Sequence, residues 1–190
     1  MTKAAGPFDD WLVATDTVLR TNGTADVPCG TCNACCRSGQ FIQVTPADTS
    51  ALAVIDPQLL FPAPGKPEIM ILGFDEKGHC PLLKDDHCSI YDSRPQACRT
   101  YDCRVFAAAQ IDPDDQPLIK DAISDWEFAE PNTKQIAVSR AARYIRKHSP
   151  RLGSHHGSSA IQLSLSAIKI HDLFLENGAP DFHQVRSRLS

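Results

Sequence analysis

The sequence predicts a mostly α protein with short irregular strands, loop-rich around a group of cysteines and helical at its C-terminal end. Three observations carry that prediction. All eight cysteines of the 190-residue chain fall between Cys29 and Cys103. Most of its 14 prolines and 10 glycines lie in the first two thirds, where they break the chain into turns and short elements. The last third instead carries apolar residues at helical spacing. With 42% hydrophobic residues the chain can bury a core. Its length suits a cysteine region over 1–130, with the motif itself at 27–110, and a basic helical segment over 131–190 packed on it.

Taken in order, Phe8 to Arg20 reads as a helix: Phe8, Leu12, Ala14, Val18 and Leu19 form a partial apolar stripe behind acids that favour a helix start, and Asn22-Gly23 stops it. Phe41 to Val44 is a short strand. Thr45-Pro46 then reads as an N-cap with proline at the first helical position, and that helix ends near Asp56-Pro57. The prolines at 57, 62, 64 and 67 predict an irregular loop, before a strand over Glu68 to Phe74 and a turn at Asp75 to Gly78. Asn132-Thr133 caps a helix whose stripe is Val138, Ala141, Ala142 and Ile145, and Ser149-Pro150 ends it. Ser158-Ser159 starts a last long helix with a narrow polar strip of Gln162, Ser166, Lys169 and Glu176, terminated at Asn177-Gly178.

Charge divides the chain. Residues 1–132 hold ten Lys+Arg against twenty Asp+Glu, whereas residues 133–190 hold nine against three. The simplest use of that asymmetry is internal attraction between the two parts; binding of nucleic acid or of an acidic protein partner is the less favoured use. The N-terminus has no apolar core of the kind a secretory signal needs, and no stretch is apolar enough to span a membrane, so a cytoplasmic protein is expected. In that reducing compartment, clustered cysteines hold metal more often than they cross-link.

The cysteines form two sets. Cys29-Gly30-Thr31-Cys32-Asn33-Ala34-Cys35-Cys36 brings Cys29, Cys32 and Cys35 to knuckle spacing, suited to three thiolate ligands. Adjacent side chains diverge, so Cys35 and Cys36 do not serve one ion together, and the pair points to two linked centres. Cys80, Cys88, Cys98 and Cys103 supply the remaining thiols, with Cys98 expected in the first turn of a helix announced by Ser93 and Pro95. All eight are candidate metal ligands. The same spacings serve zinc and iron–sulfur sites, and the Cys-x-x-Cys-x-x-Cys run with a separate Cys80-Pro81 leans to an iron–sulfur cluster.

Cys29-Gly30-x-Cys32-x-x-Cys35-Cys36, with Cys80-Pro81, Cys88-x-Ile90-Tyr91 and Arg94-Pro95-x-x-Cys98-Arg99-x-Tyr101-x-Cys103, resembles the YkgJ-type CxxCxxCC cysteine-cluster family, described as zinc- or iron-chelating proteins. The resemblance implies metal binding and leaves the activity open. A related cysteine-cluster region occurs in flagellin lysine methylases, which makes a cluster-containing methyl-transfer enzyme the alternative. Against it, the chain has no glycine-rich strand-turn-helix for S-adenosylmethionine, and its spacings yield no catalytic constellation.

Arg37, Arg94, Arg99 and Arg104 neighbour cysteines, where guanidinium groups would offset the charge of a tetrathiolate or else pair with Asp92 or Asp102. Tyr91 and Tyr101 are expected to cover the cysteine region. His79 and His87 each precede a cysteine, but eight thiols already suffice as ligands.

Overall fold

The N-terminal strand β1 (Lys3–Pro7) feeds directly into helix α1 (Phe8–Thr21), where Phe8, Trp11, Leu12 and Thr15 are buried at helical spacing. Trp11 and Thr15, rather than Ala14, Val18 and Leu19, complete the stripe, and Leu19 is exposed. The computed structural model describes residues 3–21, 23–25, 27, 29, 31–113, 116–129, 132–152, 159–176 and 180–190. Asn22 of the expected Asn22-Gly23 stop lies outside them, as do Ser158 and the Asn177-Gly178 stop. The architecture is mostly α with short strands in small sheets, as the sequence predicts.

Two compact units divide the chain: Met1–Asp16 with Asp102–Ser190, and Thr17–Tyr101. The second unit begins with the end of α1 and a one-turn 3-10 helix at Ala34–Arg37. Strand β2 (Ile42–Val44) follows, then the short helix α2 (Thr49–Leu52). The start predicted at Thr45-Pro46 is displaced because the Asp48 carboxylate takes both the Thr45 N–H and its hydroxyl, each at 2.8 Å, closing a turn before the helix.

The proline-rich loop predicted over Pro57 to Pro67 is largely a β-hairpin: β3 (Leu60–Ala63) pairs with β4 (Lys66–Leu72) in a sheet ordered β2-β4-β3. Proline is tolerated for positional reasons. Pro62 sits on the edge strand, and Pro67 precedes the part of β4 that β2 pairs, Met70 to Leu72. Pro64-Gly65 makes the turn, with Gly65 at φ +73°. Val44, Leu72, Ala51, Ile55 and Leu82 form the small buried core behind this sheet.

A second hairpin, β5 (Leu83–Lys84) with β6 (His87–Cys88), and the short helix α3 (Gln96–Thr100) complete the unit. Cys98 lies in the first turn of α3, after Pro95, where the sequence puts it.

The first unit pairs β1 in parallel with β7 (Trp126–Ala129). Between them in the chain run α4 (Arg104–Ala109) and α5 (Pro117–Ser124). Phe8, Trp11 and Phe128 meet with ring centroids 5.0 to 5.3 Å apart. Helix α6 (Thr133–Leu152) buries Val138, Ala141, Ala142 and Ile145 completely. It runs through Ser149-Pro150 rather than ending there, so that proline falls within its last turn. Helix α7 (Ala160–Ile170) is capped by Ser159, gives way to a 3-10 turn at His171–Phe174, and buries Ser166, so the predicted polar strip is interrupted. Helix α8 (Phe182–Leu189) closes the unit on Val185 and Leu189.

Candidate metal centre

A tight hairpin sets the geometry of the site. Lys84 pairs with His87 across Asp85-Asp86, both in the left-handed region at φ 48° and 64°, the two-residue turn that matches strand twist. Asp tolerates that conformation better than most residues. The turn returns the chain so that Cys88 pairs with Leu83, close to Cys80. The Cys80 sulfur accepts hydrogen bonds from the Leu82 and Leu83 amides, and the Leu83 N–H also bonds the Cys80 carbonyl at 2.9 Å.

The hairpin also holds the first cysteine run. The Asn33 side chain donates to the Asp86 carbonyl at 3.1 Å, and Arg37 pairs with the Asp86 carboxylate. The Cys80 N–H donates to the Cys36 carbonyl at 2.7 Å, and the Gly39 N–H to Gly78 at 2.7 Å. Gly39 and Gly78 both have positive φ and approach so closely that a Cβ on either would touch the other's backbone.

Helix α3 is fixed by a third device. The Asp48 carboxylate that closes the Thr45 turn also accepts the Gln96 N–H at 2.6 Å, the first amide of the helix carrying Cys98. Burial alone would raise the Asp48 pKa, but the hydrogen bonds from Gln96 and Thr45 hold it below the usual carboxylate value.

Four thiols lie within electrostatic reach of one another as a result. Every pair among Cys36, Cys80, Cys88 and Cys98 is near enough for mutual repulsion as thiolates. Burial, reinforced by the neighbouring sulfurs, pushes Cys36 up to about 11 and Cys98 up to about 12, and raises Cys80. Arg94 acts in the opposite sense on Cys36 and Cys98, so its positive charge lies on the quartet's side. Its guanidinium lies 3.6 Å from the Tyr91 ring centroid and its Nε donates to the Tyr91 carbonyl at 2.8 Å. Tyr91 is 58% exposed with Arg94 over its ring, so it covers little of the cysteine region.

The other candidate ligands are placed differently. On a 3-10 turn successive side chains point about 120° apart, so Cys35 diverges from Cys36. Cys32 is within electrostatic reach of Cys36, and its N–H bonds the Cys29 carbonyl at 3.0 Å. Cys103 belongs to the first unit, buried, and accepts the Trp126 indole N–H at 3.3 Å. Beside it Arg104 pairs with Asp102 at 2.9 Å, and Asp102 accepts the Trp11 indole N–H at 2.9 Å. Arg99 donates from Nε to the Arg94 carbonyl at 2.7 Å. His79 binds the Asp75 carboxylate through its backbone, and the His87 ring contacts the Asp85 carbonyl.

Soft thiolates suit zinc and iron alike, so the donor set fits a metal of this class. Among the described residues, no three His, Cys, Asp or Glu side chains stand at the distances of a metal site as they are. The family model described as "CxxCxxCC: Putative zinc- or iron-chelating domain" matches residues 28–132. The chain belongs to this family. No curated protein and no solved structure matches it. The CxxCxxCC match takes in both cysteine sets, Cys29 to Cys36 and Cys80 to Cys103. Every cysteine is marked as a candidate ligand by the sequence, whereas the positioning roles of Asp48, Asp85 and Asp86 emerge only from the fold. The available signal for the last two was an Asp-Asp pair between Leu83-Lys84 and His87-Cys88. Among the described residues, no helix is long and apolar enough to cross a membrane.

Proposed function

We propose that the protein is a cytoplasmic metalloprotein whose centre is held by Cys36, Cys80, Cys88 and Cys98. The observation that carries this reading is the approach of four thiols from three separate segments, with two backbone N–H groups directed at the Cys80 sulfur. Amide donors at a cysteine sulfur stabilise its thiolate, the form that binds metal. Rotation of the cysteine side chains between staggered χ1 positions would bring their sulfurs onto the metal.

An iron–sulfur cluster is the content we favour. Such clusters take four cysteine thiolates, which Cys36, Cys80, Cys88 and Cys98 would supply. Arg94 would offset the negative charge of the loaded centre. Cys29, Cys32 and Cys35 are the reserve thiolates of the same unit, with Cys32 within electrostatic reach of Cys36. The test is purification without oxygen. A brown protein with matching iron and acid-labile sulfide supports the cluster; a colourless protein with zinc would replace the cluster by zinc and leave the thiolate quartet in place.

A further inference from the structure

The strongest feature unrelated to the cysteines lies on α6. From Thr133 to His171 the chain carries seven Lys+Arg and no Asp or Glu. Helix α6 buries Val138, Ala141, Ala142 and Ile145 and turns Arg143, Arg146, Lys147 and Arg151 to solvent. Steps of three and four residues place those cations along one face, where like charges repel. Among the described residues, Arg143, Arg146 and Lys147 have no carboxylate partner; Lys134, nearer the start of the helix, pairs with Asp9.

A row of rings runs beside the cations. The Tyr144 and His148 centroids are 4.4 Å apart, His148 and Phe182 are 6.2 Å apart, and the Arg151 guanidinium lies 4.5 Å from the Phe182 centroid. All three rings are half-buried, keeping part of their surface open.

We propose that this face binds single-stranded nucleic acid. The arginines present forked donors suited to phosphate oxygens, and the adjoining rings offer surfaces on which unpaired bases stack. An acidic protein segment would engage the cations but give the ring row no task. The proposal is independent of the metal reading, because its residues and its test do not involve the cysteines.

The test uses the full chain and a fluorescently labelled single-stranded oligonucleotide of about twelve nucleotides. Anisotropy should rise at low salt and fall as salt is added. R143E/K147E should lose at least about tenfold in affinity, and Arg143→Gln should flatten the log–log salt slope by about 0.7. His148→Ala should weaken binding while leaving that slope unchanged, which a purely electrostatic surface would not do. Circular dichroism and metal content should be unaltered in all three variants. No binding at low salt, equal affinity in R143E/K147E, or polyglutamate bound as tightly as the oligonucleotide would overturn the proposal.

Discussion

The two units are stabilised by different means. In the Met1–Asp16 with Asp102–Ser190 unit, Phe8, Trp11 and Phe128 pack ring against ring, and α6 and α7 bury long apolar stripes. Its buried Arg104–Asp102 ion pair is doubly supported, since Asp102 takes both Arg104 and the Trp11 indole. Among the described residues, the Thr17–Tyr101 unit buries a smaller apolar set, Val44, Ala51, Ile55, Ile71, Leu72 and Leu82, and much of its order comes from hydrogen bonds converging on turns that present cysteines. A chain of that length with so little buried apolar surface gains most from a metal that binds only its folded form. On the proposed ligand set, apolar burial and metal ligation would divide the work within one polypeptide.

The largest expected effect separates the units outright. Stripping the metal with a strong chelator should remove hydrogen-exchange protection from β2, β4 and α3 while leaving α6 and α7 protected, because thiolate-held metal contributes on the order of 10 kcal/mol. Equal loss in both units would break the comparison.

Next in size is the apolar unit's own weak point. Ile145→Ala opens a cavity in a fully buried stripe and should cost about 2–5 kcal/mol in urea unfolding, with metal content unchanged. A drop in bound metal would contradict the separation.

A smaller effect is expected at Asp48, which joins the Thr45 turn to the helix bearing Cys98. Asp48→Ala should destabilise the second unit by about 1–2 kcal/mol, the usual size of a lost helix cap. The sign with pH follows from its lowered pKa: the folded state binds its proton less readily than the unfolded state. Its contribution is therefore complete above the ordinary carboxylate range and lost as pH falls through the depressed value. Acid titration of wild type against Asp48→Ala should show the two curves converging at low pH.

The smallest is the surface pair. Arg37→Ala should cost at most about 1 kcal/mol, since Arg37 and Asp86 are partly exposed, and high salt should erase the difference.

The contrast also explains what the sequence revealed. Helical periodicity made α1 and α6 legible, because one buried face repeats every turn: Val138, Ala141, Ala142 and Ile145 are read and found buried. Trp11 escaped because a large side chain among acids reads as weakly as a surface one. Proline misled twice. The Pro57 to Pro67 stretch folds as a hairpin because its prolines avoid the doubly paired part of β4, and Pro150 stays within α6, where the Arg146 carbonyl left without an amide from residue 150 accepts the Ser149 hydroxyl at 3.3 Å. Cysteine spacing identified the ligand class, but which thiols approach one another depends on the Asp85-Asp86 turn and on Asp48, and long-range closure of that kind leaves no periodic trace. The knuckle spacing marks Cys29, Cys32 and Cys35 in the sequence; the mutual electrostatic reach of Cys36, Cys80, Cys88 and Cys98 has no such sequence mark.

Metal content of single-cysteine variants tests whether Cys36, Cys80, Cys88 and Cys98 hold the metal. Cys36→Ser, Cys80→Ser, Cys88→Ser and Cys98→Ser, purified without oxygen, should each lose most of the metal bound per chain, while Cys103→Ser retains it. Full metal in the quartet variants, with loss in Cys103→Ser or in Cys29→Ser alone, would contradict the assignment.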